Sequence, residues 1–77
     1  MITVDRSLKL ASDRLRAAVR DFRATPCRGT AAVLSERFAV YWRRRNGGSV
    51  GLDTALEQLE AKTEAIVARA EGARVAA

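Results

Sequence analysis

The chain has 77 residues, a formal charge of +5 and an isoelectric point near 10.7, so it is long enough for one small domain and favours an acidic partner. Histidine is absent and Cys27 is the only cysteine, which removes the commonest metal ligand and general base and excludes an internal disulfide. We therefore expect no metal, no cofactor and no enzymatic activity. Because so short a chain buries only a small core, we expect oligomerisation to stabilise it.

The apolar segments are short. Phe38–Trp42 is the longest uninterrupted apolar run, at five residues, whereas a membrane-spanning helix needs about 20. Charges at Asp5, Arg6 and Lys9 fall where a signal peptide would need an apolar stretch. We therefore expect a cytoplasmic protein that does not enter a membrane.

Turn-forming residues divide the chain into three segments. The single proline and most of the glycines lie at positions 25–30 and 46–51, and the segments between them repeat apolar residues with helical periodicity. The sequence predicts an all-α fold, in which residues 1–77 form one small three-helix domain with helices over about 7–24, 30–45 and 51–71. Asp5 or Ser7 suits the N-cap of the first helix, and Ile2–Val4 is too short to predict a strand.

The second helix has an apolar face that covers about half of its circumference. Its members are Val33, Leu34, Phe38, Val40, Tyr41 and Trp42. So wide a face predicts that this helix is central and contacts both of the others.

The third helix, which we expect to be the longest, carries a short stripe with heptad spacing. Steps of four and three residues alternate along Leu52, Leu56, Leu59, Thr63, Ile66, Ala70 and Ala73. Heptad spacing keeps one stripe of a helix facing a partner helix, so we predict a helix-association seam. The same stripe suits the core-facing side of a helix within one three-helix domain, and the sequence leaves both interpretations open.

Charged residues form two flanks of opposite sign. Four cations share one flank of the first helix, namely Lys9, Arg16, Arg20 and Arg23. The carboxylates of the third helix lie within about 60° of arc beside the seam; they are Asp53, Glu57, Glu60, Glu64 and Glu71. We expect the cations to contact these carboxylates, within one chain or between two, or else an acidic partner.

The run from Tyr41 to Arg45 combines aromatic rings with guanidinium groups, as nucleic-acid contacts do. Arg43, Arg44 and Arg45 are therefore candidate phosphate contacts. Tyr41 and Trp42 also continue the apolar face of the second helix, however, and cations suit a helix C-terminus. Core packing with a solvated, basic helix end is the competing interpretation.

Two functions fit these features. The first is a non-enzymatic protein–protein interaction module, such as an adaptor, accessory subunit or small inhibitor, that docks through the seam and its charged flanks. The alternative is a dimeric, basic nucleic-acid-binding regulator that contacts phosphates through arginine-rich faces. A basic face free of carboxylates would favour nucleic acid, and arginines interleaved with the glutamates of the third helix would favour the interaction module.

Overall fold

The computed structural model describes the backbone of residues 6–76 and the side chains of residues 6–73. The helices are α1 (Arg6–Ala24), α2 (Arg28–Asn46) and α3 (Leu52–Ala76). Residues 6–76 contain no strand, so the predicted all-α fold is confirmed. The Ile2–Val4 segment and the proposed Asp5 cap lie outside the described residues. Helix α3 continues five residues past the predicted end, through Gly72.

The start of α2 is set by a local hydrogen-bond motif. Cys27 occupies the N-cap with extended backbone (φ −155°, ψ 170°). The Thr30 hydroxyl accepts a bond from the Cys27 backbone N–H at 3.2 Å and donates to the Thr25 carbonyl at 2.7 Å. Because Thr30 reaches back from the third helical position, as in a capping box, α2 begins at Arg28, two residues before the predicted start.

The turn between α2 and α3 depends on glycine and on Trp42. Gly47 adopts the left-handed conformation (φ 69°), and the N–H groups that follow the helix donate to the Arg43 carbonyl. The indole N–H of Trp42 donates to the Val50 carbonyl at 3.1 Å. Gly51 has φ 80°, and a Cβ there would lie 3.4 Å from the Trp42 ring. The half-buried tryptophan therefore holds the turn that starts α3.

Gly47→Ala should lower the free energy of unfolding by about 1 kcal/mol, because an L side chain is strained in the left-handed region. Gly48→Ala is the matched control, since Gly48 lacks a positive φ and nothing lies within 4 Å of a Cβ built there. Urea unfolding of both variants measures the difference. Equal stabilities would show that the left-handed cap does not stabilise α2.

The helices are connected as two successive antiparallel hairpins. Leu10 in the first half of α1 lines one groove with Val40 in the second half of α2. Asp21 near the end of α1 lines another groove with Val33 in the first half of α2. Helices α1 and α2 therefore run in opposite directions. Helix α3 likewise returns along α2, which brings Val67 beside Ala31. Helices α1 and α3 consequently run parallel to each other. Within the described helices, each packs against α2 and neither packs against the other.

The core is small and centres on α2. Its buried cluster comprises Ala18 and Phe22 of α1, Leu34 of α2 and Val67 of α3, and the partly buried side chains packed against it are Leu15, Val19, Ala31 and Leu59. Leu34 is the only buried residue of α2. Helix α2 therefore does contact both neighbours, but only Leu34, in its first half, is fully covered.

The molecule is elongated and thin. Its extents are 57 × 23 × 13 Å, and its radius of gyration is 14.6 Å, compared with about 11.5 Å for a compact domain of this length. None of the helices in residues 6–76 combines the length and apolar character needed to cross a membrane. Because α1 and α3 do not cover each other, much of the helix surface stays open.

Candidate interaction surfaces

The predicted seam of α3 is only partly buried within the chain. Leu52 and Thr63 are buried, Leu56, Leu59 and Ala70 are half-buried, and Ala73 is exposed. Ile66 remains 42% exposed, whereas its neighbour Val67 is buried.

Burial along α3 departs from the heptad stripe at one position. The inward positions include Leu52, Leu56, Leu59, Thr63, Val67 and Ala70. Burial thus passes from Thr63 to Val67, a step of four residues where the heptad stripe takes three, and leaves Ile66 open. The two series coincide again at Ala70.

Thr63 occupies its buried position without an unsatisfied hydroxyl. Its Oγ1 donates to the Glu60 carbonyl one turn earlier, at 3.1 Å. This hydrogen bond to its own helix satisfies the hydroxyl group of the buried threonine. A threonine in the apolar stripe is thus compatible with close packing against α2.

The four cations of α1 project from its exposed side. Arg16, Arg20 and Arg23 surround a groove of about 430 Å³ whose apolar walls are Leu15 and Val19. We call Lys9, Arg16, Arg20, Arg23, Leu15 and Val19 the basic face of α1. No carboxylate lines this groove, so its charge is positive throughout.

A second groove, of about 630 Å³, lies between α2 and α3 and has the opposite charge. Its floor consists mainly of small residues, namely Ala31, Ala32, Ser35, Thr63, Val67 and Ala68. Its rim carries Glu60, Glu64 and Glu71, with one cation, Arg28. We call this the α2–α3 groove. Small side chains let another helix approach its backbone closely, as they do at other helix contacts.

The three arginines at the end of α2 each have a partner within the chain. Arg43 Nε donates to the Ser49 hydroxyl at 3.2 Å, and Arg45 donates to the Tyr41 hydroxyl at 2.8 Å. The Arg44 guanidinium donates to the Ser7 hydroxyl of α1. All three are exposed. They connect α2 to the following turn and to α1, and they remain accessible to solvent.

The charged rims were predicted from the sequence, whereas the predicted seam contains Ile66 in place of the buried Val67, and the floor of the α2–α3 groove was not predicted. The helical period would not have selected Val67, because four steps of 3.6 residues from Leu52 end nearest to Ile66. The floor required knowledge of which side of α2 faces α3. Residues 6–73 contain no cluster of three side chains suited to hold a metal ion.

Comparison with known proteins does not identify a relative. No family model, curated protein or solved structure matches this sequence. The two charged surfaces and the apolar area that the fold leaves open are therefore the features that bear on function.

Proposed function

We propose that this chain is a non-enzymatic helical protein–protein interaction module that docks through apolar surface flanked by charged rows. The observation that supports this most strongly is the large uncovered surface. Leu10, Val33 and Ile66 are each more than 40% exposed. A partner that covers these helix faces would supply the apolar burial that the chain alone lacks.

The separation of charge supports docking in a defined orientation. The cations of α1 and the carboxylates of α3 lie on different surfaces, each beside its own groove. Exposed ion pairs contribute only about 0–1 kcal/mol each. Their larger effect is to speed encounter and to select one docking register over others. Apolar contact then supplies affinity, and the charged rows supply orientation.

A basic nucleic-acid-binding protein is the second candidate, and one observation favours it. The groove on α1 presents three arginines and no carboxylate, which suits a phosphate backbone. Against it, Arg43, Arg44 and Arg45 are hydrogen-bonded within the chain, and Trp42 holds a turn. The aromatic and basic run of α2 thus has structural contacts within the chain that account for its residues, so we place the interaction module first.

The two candidates differ in how binding to generic duplex DNA and RNA depends on salt. For the interaction module we expect no sub-micromolar binding near 150 mM salt, and reversal of Arg43, Arg44 and Arg45 to glutamate should change little. Fluorescence anisotropy from 50 to 150 mM salt measures this. Sub-micromolar binding that persists at 150 mM and vanishes in the triple variant would contradict our first choice. In that case the salt slope would also flatten by about three.

A further inference from the structure

We infer that the basic face of α1 docks on the acidic flank of α3 in a second copy of this chain. This inference rests on the proposed function and names the partner. The cations Lys9, Arg16, Arg20 and Arg23 are separated by seven, four and three residues. Read backwards, the carboxylates Glu71, Glu64, Glu60 and Glu57 are separated by the same seven, four and three residues.

An antiparallel alignment of α1 with α3 therefore brings every cation opposite a carboxylate. The pairs are Lys9 with Glu71, Arg16 with Glu64, Arg20 with Glu60, and Arg23 with Glu57. All eight side chains are exposed, so none must leave the core to pair. A parallel alignment does not match the two series, because their order of spacings is then reversed. Charge complementarity thus selects one direction and one register.

That direction is not available within one molecule. Both α1 and α3 run antiparallel to α2, so within one chain they run parallel to each other, and they do not pack together. An antiparallel α1–α3 contact consequently needs a second copy. The like-charged neighbours Arg16 and Arg20 repel each other in an isolated helix, and the contact would relieve this repulsion.

Apolar groups accompany both charged rows. Leu15 and Val19 lie between the cations of α1, and the exposed Ala32 and Ala68 of the α2–α3 groove lie beside the carboxylates. The basic face of α1 in one copy would therefore cover apolar surface in the groove of the other while the charges pair along its edge. Charge and apolar patterns coincide at the same two surfaces.

A dimer is the simplest assembly that supplies this contact. A two-fold axis perpendicular to the helices reverses their direction, so α1 of each copy would meet α3 of the other in the antiparallel sense. The same pairing of cations with carboxylates would then occur twice.

Two charge-swap variants of identical net charge test the register. We expect the wild type to dimerise in sedimentation equilibrium at 50 mM salt, and Arg16→Glu to weaken the dimer by about tenfold, because Glu64 then faces a like charge. Arg16→Glu combined with Glu64→Arg should restore association to within about threefold of the wild type. Arg16→Glu combined with Glu57→Arg should associate more weakly than the single variant, since it creates two repulsive pairs.

Circular dichroism checks that each variant keeps its helices. Arg69→Glu controls for net charge, because it changes the charge by the same amount as Arg16→Glu, and Arg69 is exposed and lines neither groove. A wild type that stays monomeric at 100 µM would overturn the inference. Equal association of the matched and mismatched variants would overturn it too. The nucleic-acid measurement is independent of this one, so failure of the homotypic contact and failure of the proposed function give different results.

Discussion

Leu59→Asp should abolish the native state. Leu56→Asp should either abolish it or remove association through α3. Lys62→Asp should leave both the fold and association intact. Leu59 packs against the buried cluster, and Leu56 lies half-buried on the same side of the helix. Placing a carboxylate without a partner at either position costs several kcal/mol. A domain of this length has about 4–12 kcal/mol of total stability. Lys62 is exposed, so an aspartate there stays in water.

Thermal unfolding followed by circular dichroism, together with light scattering for association, distinguishes the three variants. The Lys62 variant should unfold within a few degrees of the wild type, and the Leu59 variant should show no cooperative transition near that temperature. The Leu56 variant should either lack that transition or fail to associate. The same loss of stability in all three would mean that α3 is not oriented with Leu59 inward. Residue 62 is a matched control, because it lies on the same helix and receives the same side chain.

Leu34→Ala should lower the free energy of unfolding by about 3 kcal/mol, and Leu10→Ala by less than about 1 kcal/mol. Leu34 is 5% exposed and belongs to the buried cluster that joins all three helices, whereas Leu10 is 49% exposed. Truncating Leu34 removes the buried side chain of α2 that connects α1 to α3. The large loss reflects both the transfer of apolar surface to water and the cavity that remains.

Urea titration of both leucine variants gives the two free energies. Helices α1 and α3 are connected only through α2. If one hairpin of the Leu34 variant melts before the other, its apparent free energy of unfolding should fall less steeply with urea concentration than that of the wild type. A Leu10 variant as unstable as the Leu34 variant would show that the groove between Leu10 and Val40 contributes as much to stability as the core.

The comparison of Ile66 with Val67 shows where sequence periodicity stops being informative. Both are β-branched apolar residues, and at 100° per residue they lie at similar angles on either side of the seam. The heptad stripe selects Ile66, and the helical period does not favour Val67 over it. Only the packing of α3 against α2 decides that Val67 is buried and Ile66 exposed.

The three helices, their approximate limits and the turns between them could be predicted from the sequence alone. These features depend on local properties, namely turn-forming glycines and apolar repeats of helical period. The charged flanks could be predicted too, because residues three or four apart share a helix face. Which helix faces are covered follows only from the packing of the three helices. The two hairpins place α2 between α1 and α3, so α1 and α3 run parallel and apart, and their complementary charges remain uncovered on separate surfaces. Packing between helices joins residues far apart in sequence, and local periodicity does not encode which helix lies opposite which face.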